Sequence, residues 1–229
     1  MTFRDLVYKI FNKLFFHGFY LKSYSQDGED LILYSFLKYQ PSGFFVDVGA
    51  HHPFRFSNTF IFYKKGWKGI NIDAAPGSMK LFKKHRPRDI NLEVGISDKS
   101  ETKEFYIFDE PAINSFDKTL SNNRASKKNV KITRKESIQL VTLNEILSQN
   151  NVGEKDIDFL TIDAEGYDFK VIKSVDLTVY KPKIIVVETE INFLDPGSNE
   201  IVSYLLKYNY KIIAKTKRSL FFSSNENLK

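Results

Sequence analysis

Three stretches of this chain put carboxylates where an apolar run gives way to a turn. Phe44-Phe45-Val46-Asp47-Val48 runs into Gly49-Ala50-His51-His52-Pro53, and residues 157–163 end on Asp163 before Ala164-Glu165-Gly166-Tyr167-Asp168. Residues 183–190 repeat the design with Glu188 and Glu190. Unpaired carboxylates at such ends repel one another and call for a cation, a proton or a hydrogen-bonding ligand. His51 and His52 add two imidazoles beside the first turn. Asp163, Glu165, His51 and His52 are therefore candidate catalytic bases, able to take the proton of an attacking hydroxyl. One of the two histidines is expected to orient the turn and the other to face the reacting group; the sequence leaves open which does which. Carboxylates with His52 would also suit Mg²⁺ or Mn²⁺, with Asp163, Glu165 or Glu190 as partners. That is the less favoured arrangement, and no residue is assigned to a metal.

The glycine pattern narrows the ligand. A dinucleotide turn needs three glycines so that backbone and helix N-terminus can approach a pyrophosphate, and here Gly49 stands alone, with His51, His52, Pro53 and Phe54 following. An acidic strand end with one tight turn and no phosphate cradle suits an adenosine ligand with a cationic centre, such as S-adenosylmethionine. Gly69-Ile70-Asn71-Ile72-Asp73 ends in a further acid twenty-odd residues on, where a carboxylate that holds ribose hydroxyls is expected.

The elements that must position these groups alternate in type. Residues 44–48, 67–73, 90–97, 157–163 and 183–190 are expected strands, the first buried on both faces as in a parallel sheet. Helices are expected after the Ser25-Gln26-Asp27-Gly28-Glu29-Asp30 start, around Phe60-Ile61-Phe62, over 76–85 and over 200–208. Another follows the Thr142-Leu143-Asn144-Glu145 capping box. Residues 103–108 alternate with period 2, as an added or edge strand would, residues 138–141 return to strand, and 210–215 with 219–222 form a closing pair. Residues 117–136 are polar and basic, either a solvated loop or a lid that attracts an anion. The order is that of an α/β, doubly wound, mostly parallel Rossmann-like sheet with a terminal antiparallel hairpin.

The 229 residues suffice for one core and carry no linker, so residues 23–229 read as one domain behind an extension over 1–22. In that extension Phe3, Leu6, Val7, Ile10, Phe11 and Leu14 recur at helical spacing between Arg4, Lys9 and Lys13. Such a face packs on its own domain or, less commonly, meets an anionic membrane or a partner. With no cysteine, disulfides, thiolate metal sites and a cysteine nucleophile are excluded, and a reducing, cytoplasmic setting is the default. The absence of any run of 18 apolar residues argues against a spanning helix. A net charge of +6 favours an acidic partner.

Taken in order, Phe-Val-Asp-Val-Gly-Ala-His (45–51), Gly-Ile-Asn-Ile-Asp (69–73), Gly-Ile-Ser (95–97), Val-Thr-Leu-Asn-Glu-Ile-Leu (141–147), Leu-Thr-Ile-Asp-Ala-Glu-Gly (160–166) and Ile-Val-Val-Glu-Thr-Glu (185–190) resemble the successive blocks of the FkbM-type methyltransferases. Residues 25–30, 51–59 and 110–117 resemble one branch of that family, associated with glycan or lipopolysaccharide decoration. The resemblance implies a class I S-adenosylmethionine-dependent methyltransferase fold. It implies Asp47 and Gly49 at the methionine and turn region, Asp73 on the ribose and Ser97 near the adenine, with Ala50, Ala74, Asn58 and Gln26 also among the cofactor-binding residues. It places Asp163 toward the methyl group and acceptor. The expected reaction is O-methylation of a hydroxyl on a small-molecule, glycan or glycan-related acceptor, acidic in keeping with the basic chain, with no specific nucleic acid. A nucleotide-sugar or NAD-linked enzyme, or a non-catalytic anion-binding member, is the alternative. The commoner family turn carries a further glycine where this chain has Pro53 to Arg55.

Overall fold

The computed structural model describes residues 4, 6, 7, 10, 11, 21–127, 129–153, 156–189 and 196–224. In chain order the elements are α1 (Glu29–Leu37), β1 (Phe44–Val48), α2 (Phe60–Lys64), β2 (Lys68–Asp73), α3 (Met79–His85), β3 (Ile90–Glu93), β4 (Gly95–Ile96) and β5 (Glu101–Phe108). Then come α4 (Lys118–Lys127), β6 (Ile132–Val141), α5 (Leu143–Gln149), β7 (Phe159–Ile162), α6 (Asp168–Lys173), β8 (Ile184–Glu188), α7 (Glu200–Lys207), β9 (Tyr210–Lys215) and β10 (Ser219–Ser224).

The main sheet has the order β3-β2-β1-β7-β8-β10-β9. β1, β2, β3, β7 and β8 are parallel, and β10 joins antiparallel to both β8 and β9. From β1 the chain winds outward through β2 to β3, and from β7 it winds the other way to β8. The switch point lies between β1 and β7, where ligands of open α/β sheets bind.

Period-2 alternation gives the central strands β1, β7 and β8 two buried faces. Val46, Val48, Ile70, Ile72, Leu160, Ile162, Ile185 and Val187 pack under α5, α6 and α7. Phe45, Phe159, Ile184 and Val186 pack under α1 and α2, against Leu33, Phe62 and Trp67. The capping box of α5 forms as expected: Thr142 Oγ1 accepts from Glu145 N at 3.1 Å, and a Glu145 carboxylate oxygen accepts from Thr142 N at 2.7 Å.

Two regions differ from expectation. Residues 90–97 are not one strand. The Val94 N–H donates back to the Asp73 carbonyl, and the chain leaves the main sheet to start a second one of order β4-β6-β5. Residues 117–136 are not a loop: they form α4 and the first half of β6. α4 buries only Ser121, so it carries no apolar period to betray it, and the start of β6 is held by its antiparallel ladder with β5.

In the 1–22 segment Arg4, Leu6, Val7, Ile10 and Phe11 are helical and exposed, and most of the rest lies outside the described residues. Among the described residues no helix is long and apolar enough to cross a membrane.

Candidate functional site

At the carboxyl ends of β1, β2, β7 and β8 lies a cavity of about 700 Å³, walled on its far side by Phe105 and Ile107 of β5, Arg134 of β6 and Arg124 of α4. The second sheet thus closes over the switch point of the first.

Gly49 is what lets β1 and β7 meet beneath this cavity. It has φ of +85°, and a Cβ there would lie 1.7 Å from the Asp163 carbonyl oxygen. No side chain can relieve that contact, because the atom struck is backbone. Gly49→Ala is therefore expected to lower the melting temperature measurably, at roughly 2–4 °C per kcal/mol for a chain of this length, and to abolish ligand binding at the turn. Calorimetric unfolding with an unchanged midpoint would show that the two strand ends can part without cost.

Asp73 ties the two turns together. One carboxylate oxygen accepts from His51 N at 2.9 Å and the other from Ala75 N at 2.8 Å. Burial raises its pKa and these two N–H bonds oppose the rise. Asp73, Ala74 and Gly49 all line the cavity, next to the apolar Val94 and Ile96.

The two histidines, equivalent in the sequence, are distinct in space. His52 Nδ1 accepts from the N–H of Phe54 and of Arg55, both at 3.1 Å, so its basic nitrogen is spent in the turn and its Nε2 carries the proton. His51 Nε2 is buried with no hydrogen-bond partner, in a residue held at φ of +52°. Burial first, then the Arg55 charge, lowers the His51 pKa, keeping the ring neutral at pH 7.

Asp47, Ala50 and Ser97 do not line the cavity. Asp47 shares a strand face with Phe45, so its side chain enters the layer beneath, where it accepts from Thr59 Oγ1 at 2.9 Å. Burial raises its pKa to about 6, against the opposing pull of Arg86. Arg86, fully buried, donates to Thr59 Oγ1 at 2.9 Å and pairs with Asp89 at 2.8 Å. Ala50 packs on Met79 and Phe82, and the buried Ser97 hydroxyl donates to Asp98. Asn58 donates to Thr161 Oγ1 at 2.9 Å and borders a small polar pocket beneath the cavity. Gln26 borders both spaces, and its loop is pinned from behind: Asp30 accepts from Ser23 Oγ, Tyr24 N and Ser25 Oγ.

At the other end of the cavity Asp163, Glu165 and Glu188 converge, one oxygen of each within 4.8 Å of the others. The register Ile162↔Val187 between β7 and β8 brings Asp163 beside Glu188. His52 is not in this set, and Glu190 lies outside the described residues. Burial, then the Glu188 charge, raises the Asp163 pKa well above the ordinary range. Glu165, at φ of +48°, is paired with Arg124, whose other arm donates to the Ile113 carbonyl at 2.9 Å. Burial raises the Glu165 pKa, and Arg124 works against it.

Two arginines of this site and one beneath it carry no sequence signal of their own. Arg124 sits among the basic residues of a polar stretch, Arg218 in a hairpin turn, and Arg86 directly before Pro87; only packing turns them inward.

Comparison with known proteins agrees with this architecture. The methyltransferase FkbM from Methylobacillus flagellatus KT superposes with a TM-score of 0.50 over 80% of this chain, at 12% identity, a likeness of fold. The chain spans 44% of the length of that protein. No curated protein matches the chain. The methyltransferase FkbM domain matches residues 47–212, from within β1 into β9 and so most of the chain, and the chain therefore belongs to the FkbM methyltransferase family.

Proposed function

We propose that this protein transfers the methyl group of S-adenosylmethionine to a hydroxyl oxygen of a glycan or glycan-related acceptor. The observation that carries this reading is that a single cavity is lined both by Asp73, next to the apolar Val94 and Ile96, and by Asp163, Glu188 and His51. The residues present fit the cofactor. Each Asp73 oxygen keeps a lone pair beyond its backbone bond for a ribose hydroxyl, Val94 and Ile96 offer apolar surface to an adenine, and Gly49 leaves backbone open to close approach. Gly49, Asp73, Ala74 and Gln26, which line the cavity, and Asn58 in the adjoining pocket would hold the cofactor, while Asp47 and Ala50 would support the turn from the layer beneath and Ser97 the wall behind.

S-adenosylmethionine supplies a methyl group on a cationic sulfur, so the new O–CH₃ bond forms as the C–S bond breaks. The chain's task is to hold the acceptor in line and to take its proton. Asp163 orients the acceptor oxygen, Glu165 shapes the wall through Arg124, and neutral His51 takes the proton on Nε2. His52 acts through the turn. Arg55 and Arg134 at the cavity rim favour an acidic acceptor. The exposed Leu6, Val7, Ile10 and Phe11 beside Arg4 favour peripheral contact with a membrane from the cytoplasmic side.

Calorimetry tests the reading: heat is expected with S-adenosylmethionine and S-adenosylhomocysteine, at micromolar levels, and none with NAD. Binding of NAD alone would overturn it. Asp73→Ala should weaken cofactor binding at least about tenfold, the ribose bonds to a carboxylate each being worth about 1.5–3 kcal/mol. Unchanged affinity would reduce Asp73 to a residue that only ties the turns. Incubation with labelled cofactor in a lysate of the source, followed by identification of the labelled product, names the acceptor.

A further inference from the structure

We propose that Asp163, Glu188 and Glu165 hold a hard divalent cation, Mg²⁺ or Mn²⁺, at the acceptor end of the cavity. This deepens the methyl-transfer reading and rests on it for its use, though the site itself stands on its own geometry.

The argument begins with charge. One oxygen from each of the three carboxylates lies within 4.8 Å of the others, a spacing that fits donors around one small ion. Arg124 pairs with Glu165, and its other arm goes to the Ile113 carbonyl. Three acids face that one guanidinium, and the crowding that resists their ionisation is what a divalent ion would relieve by taking the place of protons. Arg218 borders the same cavity, with its Nε 3.9 Å from the Asp27 carboxylate.

A second, independent observation concerns donors. Strand-end carboxylates are ordinarily quieted by N–H groups of their own turn. Here those groups are used elsewhere: Ala164 N donates to Asp168 Oδ1 at 2.8 Å, Gly166 N to Asp168 Oδ2 at 3.1 Å, and Asp163 N to the Val48 carbonyl. Asp163 Oδ1 is shut away from bulk solvent and accepts from nothing, in a residue that lines the cavity and whose carboxyl otherwise bonds only to Glu188 within the trio. An acceptor-only atom left bare on the wall of a cavity is an invitation to a cation.

The donor set selects the ion. All three groups are hard oxygens, and the chain has no cysteine, which favours Mg²⁺ or Mn²⁺ over softer metals. These ions keep several exchangeable positions when bound by a few carboxylates, leaving room for oxygens of an acceptor. The acceptor class that follows is one presenting two neighbouring oxygens, as a sugar diol or a hydroxy acid does.

The test uses the full chain, stripped with EDTA and dialysed. Mn²⁺ is titrated in, and free ion is followed by its electron paramagnetic resonance signal. One site per chain is expected, displaced by Mg²⁺, with Glu188→Gln and Asp163→Asn each weakening it at least about tenfold and Asp98→Asn leaving it unchanged. No binding at about millimolar Mn²⁺, or binding that survives both substitutions, overturns the proposal. Should either variant fail to fold, the wild-type chain decides: bound Mn²⁺ must broaden the His51 ring resonances more than those of His85, and equal broadening overturns the site. S-adenosylhomocysteine binding, measured by calorimetry on the same stripped protein, separates the two readings. Cofactor binding without a Mn²⁺ site refutes the metal alone, and a Mn²⁺ site without cofactor binding refutes the methyl-transfer reading alone.

Discussion

Asp163→Asn should lower turnover by about 10²–10⁴ while cofactor affinity changes by much less. The substitution keeps shape and one acceptor oxygen but removes an ionisable carboxyl from the trio, on the wall of the cavity that His51 also lines. It leaves the Asp73 end of the cavity untouched, so the loss belongs in kcat. His51→Ala measured alongside should also cost turnover heavily, because its unpartnered Nε2 is the base in the proposed reaction. His52→Ala should cost far less in turnover at saturating substrate and show instead as a weaker turn, since Nδ1 is engaged by Phe54 N and Arg55 N. Single-turnover kinetics with the identified acceptor decide the matter. Full activity in Asp163→Asn would remove this strand end from the chemistry and turn attention to Glu188.

The second large effect is on stability. Arg86→Met should destabilise the fold by about 3–5 kcal/mol, the usual cost of removing one partner from a buried charge network. Arg86 is fully buried, and its loss leaves Asp89 and Asp47 without their cation and Thr59 without a donor. The effect carries a sign in pH. In the native chain Asp47 titrates at about 6 rather than its ordinary 3.8, so between those values the folded state binds more protons than the unfolded one. Stability contributed by this group therefore falls as pH rises through that window. Without Arg86 the carboxylates resist ionisation more strongly, so the deficit of Arg86→Met should be larger at pH 8 than at pH 5. Urea unfolding at both values measures it, and a pH-independent deficit below about 1 kcal/mol would show that the network is dispensable.

Both predictions concern groups that the linear chain presents unequally. Asp163 was legible as a site candidate because it ends a short apolar strand, and such a strand can only be buried, which forces its terminal acid to the sheet edge. The same logic revealed Asp73, Glu188, the capping box at Thr142 and Glu145, and the doubly wound order of elements. These features depend on neighbours a few residues away, within reach of periodicity and turn chemistry. Gly49 was legible as a turn, yet its true constraint, the Asp163 carbonyl across the strand gap, is a contact between residues far apart in the chain.

What the sequence determined by itself is thus the fold class, the family and the set of strand ends that carry acids. The tertiary structure decided which acids share a space and which lie beneath it. Asp47 looks as exposed to a ligand as Asp163 when read along the chain, but it stands one residue before the end of β1 on the Phe45 face, so pleating sends it into the layer with Arg86. Asp163 stands just past the last residue of β7, free of the pleat, and meets Glu188 because the parallel register of β7 and β8 aligns their ends. The histidines were separated by hydrogen bonding, which only the closed turn supplies. Arg124 became the counter-ion of Glu165 because a polar helix with no apolar stripe was carried there by the second sheet. Local pattern sets where each strand ends; the register between strands distant in the chain sets what that end confronts, and that register is written only in three dimensions.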